Sequence, residues 1–178
     1  MGEYIDLKRL KKEKAIIAIL VLAAAVYAFM KPSTHTEENV KELVELSQVV
    51  RGYYKTKPGY WGLNTEKAVE LKIVPEKMID NGRIVSQTGR EILLGEGFEG
   101  NMVMPGGRFF DVVYKGLSKK ECIDLASYEG DEEYSLGLLS ININGREFSW
   151  GVEDKLPIGK REAAKTCAQG SYVIFRYE

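Results

Sequence analysis

The sequence predicts an α+β protein: a long N-terminal helix, part apolar anchor and part amphipathic, leading into a strand-rich head. Three observations carry this. Residues 15–30, AIIAILVLAAAVYAFM, hold no charge and follow a basic flank. Residues 37–54, EENVKELVELSQVVRGYY, place apolar side chains at helical spacing. Beyond residue 90 the pattern changes to short apolar runs bounded by glycines, with a hairpin signal at Asn144-Gly145.

The first element is the anchor. Five Lys/Arg in LKRLKKEK precede 16 uncharged residues, Ala15 to Met30. As a helix these span about 24 Å, against a hydrocarbon core of about 30 Å. Lys14 and Lys31 can snorkel at the two ends. Residues 1–14 then read as a basic cytoplasmic flank or leader, 15–31 as a transmembrane anchor and 32–178 as the head outside. A cleaved secretory signal is the rival reading, and a buried helix of a soluble domain is the plain one. Both membrane readings export the head.

Pro32 breaks the apolar helix. A fresh helix starts at Thr34 or Thr36 and covers about residues 36–55. Val40, Leu43, Val44, Val50 and Tyr54 form its apolar stripe, with Glu37, Glu38, Lys41, Glu42 and Glu45 mostly opposite. Gly52 or KPGYWG ends it. Asn64 or Thr65 caps a second short helix to Ile73, and VPEKMIDNGRIV turns out of it through Pro75 and Asn81-Gly82. EILLGE and RFFDVVYKG read as strands. Ser118 followed by Glu121 forms a capping box, so a helix begins near Lys119. LSININGREFSW is a hairpin around Asn144-Gly145, and SYVIFRY is a final strand.

A chain of 178 residues with 44% hydrophobic and 29% charged residues suits one domain plus an appendage. A net charge of -1 and a pI of about 6.0 argue against nucleic acid as a partner. Two cysteines and one histidine fall short of a structural zinc set, so no metal is expected. Cys122, on the packed side of its helix, is either a small hydrophobe or half of a staple. In an oxidising compartment a disulfide with Cys167 becomes the default and bounds the region 122–167.

Other motifs have plainer readings. GEGFEG, Gly95 to Gly100, matches G-x-G-x-x-G, but NMVMPGG follows instead of a helix, and Glu96 and Glu99 would repel phosphate. It reads as a loop between strands, and no cofactor is expected. His35 reads as a linker residue; a hydrolase built on it is the one enzymatic alternative. EGDEEY, residues 129–134, lacks the spacing of a calcium loop and reads as a solvated acidic turn. Tyr53, Tyr54, Tyr60 and Trp61 bunch after the long helix and lock it to the head. No paired acid and base emerges, so the chain is not expected to be an enzyme and no catalytic residue is named.

Several segments together resemble the type IVb pilins and the related PilS-type pilins. VVRGYYKTKPGYWG is similar to their aromatic-Gly turn after the first helix. ELKIVPEKMIDNGRIVSQTG resembles their helix running into L-I-P-x-x-M. RFFDVVYKGLSKKECIDLAS resembles their strand, G-L-S-x-x-x-C and helix unit, and KTCAQGSYVIFRY their closing cysteine and last strand. The resemblance spans roughly residues 36–178. It implies a pilin-like fold with an antiparallel sheet packed on the C-terminal half of the long helix, and Cys122 and Cys167 match the family's disulfide. It implies a structural subunit that waits in the bacterial inner membrane with a periplasmic head. The subunit then packs with itself or other pilins through N-terminal helices, aided by assembly machinery, in a pilus or secretion filament. The family's glutamate at the fifth mature position has no counterpart here: a cut after Gly2 puts Leu7 there, and one after Ala15 puts Leu20 there. An atypical or minor component fits this N-terminus. The alternative is an uncleaved, anchored periplasmic module with a pilin-like head that binds assembly or secretion partners.

Overall fold

The computed structural model describes residues 19, 34–99, 102–103, 107–128, 135–150 and 156–178. The chain divides into a unit Met1–Ser33 and a unit Thr34–Glu178; the fold is that of the second. The expected flank and anchor, 1–14 and 15–31, lie outside the described residues save Ile19. Among the described residues no helix is long and apolar enough to cross a membrane.

Helix α1 is Thr34–Tyr54, with Glu37 in its first turn and Arg51 in its last, the order the helix dipole favours. His35 therefore lies in the first helical turn and not in a linker. The helix also runs through Gly52, past the earlier of the two expected stops. Val40, Leu43, Leu46, Val50 and Tyr54 are buried. So are Asn39, Glu42 and Ser47, which corrects the placement of Glu42 on the solvent side. The buried arc is wider than the apolar stripe because the turn at Ser86–Arg90 covers its polar margin.

Helix α2 is Thr65–Glu70, capped by the Asn64 side chain, which accepts from the Lys67 amide. A 3-10 turn at Glu76–Met78 leads into strands β1 (Ile79–Asp80) and β2 (Arg83–Val85). Strand β3 is Glu91–Gly95. The short strands β4 (Phe98–Glu99) and β5 (Met102–Val103) pair with each other. Strand β6 is Phe110–Leu117 and helix α3 is Lys119–Ala126. The hairpin β7 (Leu138–Ile143) and β8 (Arg146–Ser149) follows. Helix α4 (Lys160–Thr166) and strand β9 (Ser171–Tyr177) close the chain.

Seven strands form one antiparallel sheet in the order β1-β2-β3-β6-β9-β7-β8. The last strand is thus central, paired on both sides. Period-2 alternation puts Ile92, Leu94, Phe110, Val112, Tyr114, Val173, Phe175, Ile141 and Ile143 on one face, where they join α1 in a single buried cluster. The Tyr114 hydroxyl donates to the Asn39 carbonyl of α1 at 3.1 Å, so this is the helix-facing side. The opposite face carries Asp111 directly across from Arg176, joined by two hydrogen bonds of 2.9 and 3.0 Å. The Phe109 ring lies 4.5 Å from that guanidinium.

Strand β6 was expected to stop at Gly116, and it continues one residue further through a bulge. Tyr114 pairs with Val173 and Leu117 with Ser171, so β6 carries one extra residue there. Gly116 supplies the left-handed conformation, φ 69°, that this irregularity uses. The bulge delivers Leu117 and Ser118 to the start of α3.

Gly52 sits in the last turns of α1, with open space where a Cβ would stand. Gly52→Ala should therefore stabilise the protein by about 0.5–1 kcal/mol, through helix propensity and a less flexible unfolded chain. A urea midpoint that moves up at constant m-value is the expected result; a lowered midpoint would contradict this account of the helix end.

Candidate functional site

The capping box and the two cysteines come together around helix α3. Ser118 caps α3: its hydroxyl accepts from the Glu121 amide, and the Glu121 carboxylate accepts from the Ser118 amide at 2.7 Å. The same carboxylate takes a bidentate grip from Arg90, with contacts of 2.8 to 3.2 Å. Burial pushes the Glu121 carboxyl up, but the Ser118 and Arg90 hydrogen bonds outweigh it and hold the group below the usual carboxylate range.

One turn along, Cys122 faces inward and is joined to Cys167, the C-cap of α4, with Cα atoms 5.8 Å apart and a sequence separation of 45. Leu125, Ala126 and Ala163 belong to the same buried cluster. Both sulfurs are shielded, the residues being 0% and 4% exposed, so a thiolate in solvent has no approach to them in the native state.

Asn144 adds a polar clasp beside the sulfur one. It sits at φ 52° in the β7–β8 turn, a conformation Asn tolerates. Its side-chain amide donates to the Thr166 carbonyl and the Ser171 hydroxyl, both at 2.9 Å, and its carbonyl accepts from the Tyr172 amide at 3.2 Å. The turn, the end of α4 and the start of β9 are thereby tied together. From sequence alone Asn144 is only a turn former. The clasp joins residues that are distant in sequence, and local pattern carries no trace of it.

On the spine, Asn39 and Glu42 meet the β2–β3 turn. Glu42 accepts from the Gln87 amide at 2.9 Å, and Thr88 donates to Asn39 at 3.1 Å. The second carboxylate oxygen of Glu42 is buried with no hydrogen-bond partner among the described residues. Burial raises its pKa above the ordinary carboxylate value. The Gln87 amide and the Lys77 charge oppose the rise, while Glu38 and Glu45 add to it.

The aromatics after α1 form a chain of contacts from the helix end into the core. Ring centroids lie 5.3 Å apart for Tyr54–Tyr60, 4.7 Å for Tyr60–Phe110 and 5.6 Å for Phe110–Tyr177. Trp61 stays half exposed beside Gly107, where a Cβ would strike the indole at 2.5 Å. Gly59 meets the Gly107 carbonyl so closely that a side chain has no room.

GEGFEG is no plain loop: Gly95 ends β3, and Phe98 and Glu99 form β4. The Gly62 amide donates to the buried Glu96 carboxylate. EGDEEY, 129–134, lies outside the described residues, and His35 is described only as part of the α1 backbone. Among the described residues no group of three His, Cys, Asp or Glu is placed to hold a metal. The site's geometry offers attachment and rigidity: a helix held along its length, and a flank stapled to the sheet's centre.

The Bundlin family model matches residues 32–172. No curated protein sequence matches the chain. Among solved structures, the type IVb pilin from Salmonella typhi is similar, with 16% identity and a TM-score of 0.55 over 78% of this chain and 97% of its own. TcpA, a type IV pilin from Vibrio cholerae El Tor biotype, has 13% identity and a TM-score of 0.56, covering 82% of this chain and 100% of its own.

The raised pKa of Glu42 has a definite sign in stability. The folded state binds this proton more tightly than the unfolded chain. The contribution is fully present below the unfolded pKa and is lost as pH rises through the folded one. Glu42→Gln keeps an acceptor for Gln87 and removes the charge. Relative to the variant, the parent should lose stability as pH rises from the ordinary carboxylate range, about 4, through the raised folded-state value. Parallel urea unfolding curves across that range check this; a parent that gains stability on the variant with rising pH would contradict it.

Proposed function

The chain belongs to the Bundlin family and is a structural subunit of a pilus, and from that premise we propose how it is held and assembled. Residues 15–31 keep the subunit in the inner membrane with its head outside. Its N-terminal helix then packs against those of neighbouring subunits in the filament.

The carrying observation is the pairing of the matched head, residues 32–172, with an uncharged run immediately before it and a basic flank before that. The positive flank fixes orientation, and an exported head is the setting in which a buried disulfide persists. Lipid tails are as apolar as leucine, so leaving the bilayer for a bundle of like helices exchanges one apolar contact for another. Close packing then decides the balance. Ala18, Ala23, Ala24, Ala25 and Ala28 are small enough to let such helices approach. The head supplies the rigid remainder, with α1 buried along one side and the aromatic chain fixing where it ends. The stapled flank resists unfolding once no chaperone is at hand.

Cells that carry the assembly machinery and make the full chain should release it by mechanical shearing, in filaments. Leu22→Arg places a charge mid-run at a cost of about 3 kcal/mol and should abolish the sheared material while the head still forms its disulfide. A parent chain found wholly in the inner-membrane fraction would overturn the filament reading in favour of an anchored module. Unchanged filaments from Leu22→Arg would overturn the role given to the N-terminal helix.

A further inference from the structure

The chain contains two Asn-Gly pairs with the same local chemistry, Asn81-Gly82 and Asn144-Gly145. Each forms a two-residue hairpin turn with both residues at positive φ: 51° and 77° in the first, 52° and 94° in the second. Their surroundings differ at each atom that a deamidation would use.

In the second pair the Asn144 side chain makes three hydrogen bonds, to Thr166, Ser171 and Tyr172. The Gly145 amide, the would-be nucleophile, donates to the Asn142 side chain at 2.8 Å. In the first pair Asn81 and Gly82 are exposed, and a Cβ on Gly82 would meet nothing within 4 Å. Among the described residues the Asn81 side chain makes one hydrogen bond, to its neighbour Asp80 at 2.9 Å. The turn is held by β1, a two-residue strand at the edge of the sheet.

We propose that Asn81 is a site of spontaneous deamidation, and that the fold protects Asn144 from the same reaction. The Gly82 amide nitrogen gives up its proton and attacks Cγ of Asn81. The new C–N bond closes a five-membered imide as the bond from Cγ to Nδ2 breaks, and ammonia leaves with the proton. Water then opens the ring. Attack at Cγ gives aspartate with the chain restored; attack at the main-chain carbonyl gives isoaspartate with the chain rerouted through the side chain. No electrons are transferred, and water is the only co-reactant.

Either product adds a negative charge beside Asp80, whose neighbour Arg83 is 3.7 Å away. Isoaspartate also inserts a methylene into a turn of two residues, whose geometry depends on both φ values. The pairing of Ile79 with Ile84 and of Asp80 with Arg83 is all that β1 contributes to the sheet. The edge can therefore loosen while the centre stays intact. A long-lived subunit accumulates this change with age.

The test follows the folded full chain during prolonged incubation in mildly alkaline buffer made with heavy-oxygen water. Tryptic peptides then separate the two sites, one spanning residues 78–83 and the other 121–146. The Asn81 peptide should acquire heavy oxygen at least about tenfold faster, equivalent to about 1.4 kcal/mol of protection at Asn144. In urea with reductant the two rates should converge, because the dipeptides are alike. Equal rates in the folded protein, or faster reaction at Asn144, would overturn the proposal. In Asn142→Ala, which frees the Gly145 amide, reaction at Asn144 should speed up; no change there would remove the protective role given to that contact. The comparison of folded and urea-treated parent chain decides the main point even if this variant does not fold.

Discussion

Seven residues near the end of the chain, Ser171–Tyr177, have to enter the interior of its sheet. Strand β9 pairs with β6 on one side and β7 on the other, so the two halves of the sheet are joined only through it. Asp111 and Arg176, 65 positions apart, must come face to face for this to happen. Closing so long a loop is entropically costly and is rewarded only after the strand has docked. Four tethers stand at the entrance. Cys167 is bonded to Cys122, the Ala168 amide donates to the Ser171 hydroxyl, the Gly170 amide donates to the Leu117 carbonyl, and Asn144 grips Tyr172. The covalent link narrows the search for the rest, because with Cys167 fixed only a few residues remain to be threaded.

The same constraint explains the geometry around α3. The bulge at Gly116 turns β6 so that Leu117 can receive Gly170 while Ser118 begins the helix that carries Cys122. The ring chain Tyr54–Tyr60–Phe110–Tyr177 then connects the completed sheet to the end of α1. Helix α1 is thus attached to the head at two places: by aromatic packing near Tyr54, and by the Asn39 and Glu42 contacts nearer its start. The buried Glu42 is the weak point of that design, a carboxylate taken out of water with one hydrogen bond in return.

Much of this was legible in the sequence. Caps, turns and amphipathic periods are local, so the Ser118 box, the Asn144-Gly145 hairpin, the α1 stripe and the β6 and β9 runs could be read directly. Glu42 was misplaced because the stripe was drawn by residue type. At about 100° per residue it falls within the buried arc of about 160° that runs from it through Leu46, Asn39, Val50 and Leu43 to Val40. The extension of β6 was missed because Gly116 reads as a strand end unless its partner strand is known. The hairpin of β1 and β2 was reduced to a turn because its strands hold only two and three residues. Strand order and the Asn144 clasp depend on non-local pairing. GEGFEG and His35 misled in opposite ways: the first took strand pairing where a loop was expected, and the second took helix where a linker was expected.

The central claim is that the link from Cys122 to Cys167 holds β9 in place. Amide hydrogen exchange, residue by residue, on the disulfide form and on the Cys122→Ala/Cys167→Ala variant tests it most directly. The link should stabilise the native state by about 4 kcal/mol in the chain-entropy model for a loop of this length, with measured cases more often at 2–4. The account predicts that protection of the β9 amides and their β6 and β7 partners falls by about a hundredfold or more in the variant. Protection of β9 unchanged in the variant would contradict it.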